Sequence, residues 1–149
     1  MGTYKKKTNQ QIIMFYRQRD RVEVYNDIWL DIVISDDVKR INKEFKGREK
    51  DWYAMVFRHN FRLHETDVYK KRSVVVVLNP HNAQGVIDDG VILHECIHLK
   101  NKIFKTHGVR NSRENDEHEA YFVEYLFKTV KKFYDEVIET IKEESSKSI

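Results

Sequence analysis

Apolar and polar positions change period along the chain, and the changes mark its elements. Val22, Val24 and residues 28–34 mix alternation with β-branched side chains, which predicts one or two strands. Val38, Ile41 and Phe45 then recur at helical spacing, behind Ser35 and Asp36-Asp37 and ahead of Gly47. A capping residue, an acidic first turn, an apolar stripe and a terminal glycine predict a helix over 36–46. Residues 53–57 read as a strand. Residues 74–78, four valines and a leucine stopped by Asn79-Pro80, read as a well-buried one. Asp88-Asp89 opens a helix that runs to about Thr106, with Gly108 just past its end. Residues 114 to about 142 form a second, long helix with Ala120, Val123, Phe127, Val130, Tyr134, Val137, Ile138 and Ile141 as its core positions. Residues 1–9 read as a mobile basic arm and 143–149 as a frayed end. One proline, five glycines and no repeat leave no linker, so the expectation is one α+β domain over residues 1–149.

His94-Glu95-Cys96-Ile97-His98 is an H-E-x-x-H motif inside the first long helix. Residues i and i+4 share a helix face, so two imidazoles can reach one Zn²⁺ at ~2.0–2.1 Å. Glu95 lies ~100° around the helix, beside the metal, where it can take a proton from a metal-activated water. At ~100° per residue, Ile92, Cys96, Leu99 and Ile103 group on the far side, and Leu93, Ile97 and Phe104 extend that apolar arc. His94, His98, Asn101 and Lys105 share the opposite, polar sector, as a cleft wall requires. An edge of the 74–78 strand beside this helix is expected to bind substrate backbone. Cys96, on the apolar side, reads as a small core residue rather than a thiolate ligand or nucleophile.

Catalytic zinc takes three protein ligands plus water. Downstream, the dense supply of ligand types is Asn115-Asp116-Glu117-His118-Glu119-Ala120-Tyr121, at the start of the second long helix. H-E-x-x-H followed by a helix carrying E-x-x-A resembles the gluzincin-type metallopeptidases, with the arrangement that the ImmA/IrrE-type peptidases share. Residues 94–125, ending in Glu-His-Glu-Ala-Tyr-Phe-Val-Glu-Tyr, resemble a group of small phage-encoded H-E-x-x-H proteins more closely. The resemblance implies a minimal zincin-like fold, a small sheet with a metal helix and a long ligand helix. It implies one zinc per chain held by His94, His98 and Glu117, with Ala120 as the small residue that lets the helices approach. His118, Glu119 and Glu114 remain rivals for the third position. Two departures stand out. Tyr121 occupies the place of an orienting aspartate, for which Glu124 could substitute from the same helix face. No transition-state stabiliser is evident either, with His81, His107, Tyr121 and Tyr125 as candidates.

Composition narrows the function classes. The 149 residues are 40% hydrophobic and 34% charged, enough apolar content for a core. No apolar run approaches the ~20 residues of a membrane span, and no secretory leader or acylation pattern is expected. The single cysteine excludes a disulfide framework and fits the cytoplasm, the host's if the chain is phage-encoded. A net charge of +3 lacks the bias of a duplex-binding domain, so the expected partner is a peptide or protein substrate rather than nucleic acid. The reading is therefore a zinc-dependent metallohydrolase, a metallopeptidase with Glu95 as general base. The alternative is a non-catalytic, zinc-stabilised protein that binds a host or virion partner.

Overall fold

A computed structural model describes residues 14–45, 53–83, 87–110 and 112–147. The fold is α+β. Its elements are β1 (Phe15–Arg21), β2 (Ile28–Ser35), α1 (Val38–Phe45), β3 (Ala54–Phe61), β4 (Lys71–Leu78), α2 (Asp89–His107), a 3₁₀ turn (Arg113–Asn115) and α3 (Asp116–Lys147). The strands form one sheet in the order β1-β2-β4-β3. β2 and β4 run parallel at its centre, and β1 and β3 flank them antiparallel.

This order follows from side-chain pattern. β2 and β4 are buried nearly without interruption on both faces, as central parallel strands are. Leu30, Ile32, Ile34, Val74, Val76 and Leu78 pack against α2 and α3, while Val33, Val75, Val77 and Phe57 pack against Ile41 and Phe45 of α1. The expected 74–78 strand is thus flanked on both sides and offers no edge. The edge beside it is β3, which extends to Phe61, beyond the expected end at 57.

β1 escaped the sequence pattern because its inward face is charged. Arg19 forks onto Asp31 at 2.6 and 3.2 Å, Arg17 reaches the same carboxylate at 3.4 Å, and Ser73 Oγ donates to it at 2.7 Å. Asp31 is fully buried. Burial alone would raise its pKa; the hydrogen bonds from Arg19 and Ser73, with the charge of Arg17, outweigh this and hold it below the usual carboxylate value. Arg19 also lies 3.6 Å over the Phe61 ring, tying β1 across the sheet to β3.

α1 is shorter than the expected 36–46 helix and begins two residues later, with Asp37 Oδ1 accepting from Arg40 N. Residues 1–9 lie outside the described residues, as do Gly47 and residues 148 and 149. The expected frayed end is helical through Lys147.

Candidate metal centre

α2 carries the H-E-x-x-H motif and is set by its ends. Asp88 is the N-cap, its Oδ1 accepting from Val91 N at 2.9 Å. At the other end Gly108 adopts φ +70°, a left-handed conformation that suits glycine, and Val109 N reaches back to Phe104 O at 2.9 Å. Both ends match the sequence expectation. Ile92, Cys96, Leu99 and Ile103 are buried against the sheet, as the arc predicted, and Phe104 joins them. Leu93 and Ile97 do not, remaining 43% and 42% exposed beside the histidine strip.

His94 and His98 face outward, with their Nε2 atoms 3.2 Å apart. Two nitrogens ~2.05 Å from one tetrahedral ion would be separated by ~3.3 Å, so this pair fits zinc as a donor set. One ligand atom each from His94, Glu95 and His98 lies within 4.8 Å of the others, and no other such group occurs among the described residues. Glu95 is 8% exposed, with no hydrogen-bond partner among the described residues. Burial, the largest influence, raises its pKa against the opposing pull of His98 and His94. Cys96 is fully buried, and burial, reinforced by Glu95, pushes its thiol up to about 12. That is a core residue, not a nucleophile.

A cleft of about 580 Å³ opens beside the motif, lined by Tyr53, Ala54, Asp88, Gly90, Val91, His94 and Glu95. It runs between the first turns of α2 and the start of β3, the sheet's edge strand. Tyr53 O accepts from Asn79 N at 2.8 Å, which fixes this end of β3 against the end of β4.

α3 approaches α2 from another side. Lys100 Nζ donates to Glu119 Oε1 at 2.5 Å, Phe104 stacks with Phe122 at 5.6 Å, and Lys131 meets Asp89 at 3.0 Å, so the helices run antiparallel. Lys100 and Phe104 lie ~120–160° around α2 from His98. Glu117 is exposed and does not join the ligand cluster. Ala120, expected in the helix seam, is exposed as well, while Phe122, Leu126, Val130, Tyr134 and Val137 form the buried stripe. Val130, Tyr134 and Val137 were expected there; Phe122 and Leu126 were not, and Val123 and Phe127 are only half-buried. The first turns of α3 are therefore rotated from the expected face. The stacked aromatics Phe104, Phe122 and Tyr125 dictate this. Glu119 is the candidate turned toward α2, and Lys100 takes it. His118 also packs on α2, its ring stacked on Phe104, but its Nε2 lies 2.7 Å from Tyr25 Oη and it does not join the His94–Glu95–His98 cluster.

The other candidates are engaged elsewhere. Glu124 pairs with Lys128 at 2.7 Å, His107 with Asp27 at 2.9 Å, and Tyr125 Oη accepts from Glu23 N at 3.1 Å. Tyr121 is 67% exposed, and neither it nor His81 lines the cleft. Tyr53 does line it, though the pattern marked that residue only as a strand start. Lys100 went unmarked too; its signal was a cation on the apolar arc between Cys96 and Phe104. No family model matches this chain, and neither a curated protein nor a solved structure shows significant similarity to it.

Proposed function

We propose that the chain is a zinc-dependent hydrolase acting on peptide substrates, in the manner of the gluzincin-type peptidases it resembles. One observation carries the reading. A buried carboxylate with no hydrogen-bond partner among the described residues stands beside two histidines whose nitrogens are spaced for one ion, at the wall of a cleft that the edge strand β3 borders. His94 and His98 would hold the ion. A bound zinc polarises a carbonyl and acidifies water. Glu95, its pKa raised by burial, is suited to accept a proton from the attacking water and return it to the leaving amine. The outer edge of β3 offers backbone groups to an extended peptide lying along the cleft. The third ligand is the open position. Glu117 came from the resemblance and is exposed, and Glu119 is paired with Lys100 on the side of α2 turned away from His98, so neither joins the histidine pair.

A second reading, in which bound zinc serves stability or partner binding without turnover, is favoured by the lack of a ligand from a second element in the His94–Glu95–His98 cluster among the described residues. One experiment separates the two. Zinc-loaded protein and its Glu95→Gln variant are incubated with unstructured peptides, with cleavage read by mass spectrometry and metal by elemental analysis. The expected result is about one zinc per chain in both proteins and cleavage by the parent alone. Cleavage that survives Glu95→Gln, or a parent that holds zinc and cleaves nothing, would overturn the hydrolase reading.

A further inference from the structure

We infer that the cleft selects a cationic side chain, lysine or arginine, in the bound peptide. This deepens the hydrolase reading and rests on it.

The cleft walls hold two carboxylates, Asp88 and Glu95, and no lysine or arginine is among the described residues that line it. Glu95 is over nine-tenths buried with no hydrogen-bond partner among the described residues, and His94 and His98 are its nearest counter-groups, so Asp88 is the acid of this wall left open to a ligand's cation. Asp88 stands at the other end of the same wall. Its Oδ1 caps Val91 N, and its backbone oxygen accepts from Ile92 N at 3.2 Å. These bonds satisfy two of the N–H groups at the start of α2. Asp88 is exposed and has no cationic partner among the described residues, and Lys131 pairs with Asp89 and Asp135.

Shape favours the same ligand. Gly90 leaves the wall between Asp88 and His94 without a side chain, and a Cβ there would stand 3.2 Å from Asp88 Oδ1. Tyr53, 49% exposed, adds an aromatic side chain to the cleft lining. An ammonium or guanidinium is the group that a carboxylate and an aromatic ring accept together. Asp88 precedes His94 by six residues, about 9 Å along the helix axis. Two residues of extended peptide span about 7 Å, so a lysine near the reacting bond can set its ammonium at Asp88.

The test uses binding and needs no turnover. ¹⁵N-labelled full-length protein is titrated with N-acetyl-lysine methylamide, and separately with the norleucine and glutamate analogues. The amide signals of Tyr53, Gly90 and Val91 are followed. Lysine should bind about ten-fold tighter than norleucine, the effect of one partly screened charge pair over an aromatic ring. Asp88→Asn keeps the helix cap and removes the charge, and should bring the two within about two-fold. Equal binding of lysine and norleucine, or a lysine preference that persists in Asp88→Asn, overturns the inference. A lysine preference in a protein that cleaves nothing overturns the hydrolase reading alone. Zinc-dependent cleavage with no such preference overturns the inference alone.

Discussion

Replacing Glu119 by alanine tests how α3 is held on α2. The sequence pattern makes Glu119 a surface residue of a charged first turn, whose loss would cost no more than ~0.5 kcal/mol. The structure gives the opposite expectation. The Lys100 side chain is 4% exposed and that of Glu119 27%, with 2.5 Å between Nζ and Oε1. Removing the carboxylate leaves an ammonium enclosed without an anion. For a fully buried pair that costs ~3–5 kcal/mol. The partial exposure of Glu119 and the Phe104 ring 5.7 Å from Nζ place this case near ~3 kcal/mol. In a domain of this size each kcal/mol lowers the melting temperature by about 2–4 °C, so the expected fall is about 6–12 °C. The assay is thermal unfolding by far-ultraviolet circular dichroism with a chelator present, so that metal cannot mask the effect. Lys100→Met combined with Glu119→Ala should recover most of the loss, because no charge is then enclosed. Glu117→Ala is the control and should melt like the parent. If Glu119→Ala melts within about 2 °C of the parent, the pair does not hold the seam and the rotation assigned to the first turns of α3 is wrong.

Other expectations follow from the sheet, the thiol and the motif. Asp31 has a folded-state pKa below its unfolded value of about 3.9, so the stability it contributes is present above that pH and is lost as pH falls through the folded value. Asp31→Asn should therefore cost ~3 kcal/mol at pH 7, and the gap to the parent should close below about pH 4 in urea unfolding; a pH-independent gap refutes the account. Cys96 should resist iodoacetamide at pH 8 in the folded protein and react on unfolding in urea, and rapid labelling of the native state would contradict its burial. His98→Ala should lower zinc affinity by at least about 100-fold, ~2.7 kcal/mol, in competition with a calibrated chelator; retained affinity would remove the motif from the metal site.

Features that depend on a short stretch of chain were legible in the residues alone. α2 was legible from end to end because Asp88 and Gly108 act on their own neighbours and the H-E-x-x-H spacing follows from helix geometry. β2 and β4 were legible as buried strands because unbroken β-branched runs suit central positions. Tertiary structure decided the rest. Whether the 74–78 strand has a free edge depends on where β3 pairs, sixteen or more positions away in the chain, and no local pattern encodes that. β1 was hidden because its inward arginines are compensated by residues elsewhere in the chain, Asp31 on the next strand and, for Arg17, Glu44 of α1. The rotation of α3 was hidden for a related reason. Alanine, valine and phenylalanine at 120, 123 and 127 make as good an apolar stripe as Phe122 and Leu126 with Val130. What selects between them is the aromatic stack on Phe104 and the need of buried Lys100 for an anion. That choice turns Glu119 toward the metal helix and leaves Glu117 in solvent, because a helix can bury only the face that its neighbour has the shape and charge to receive.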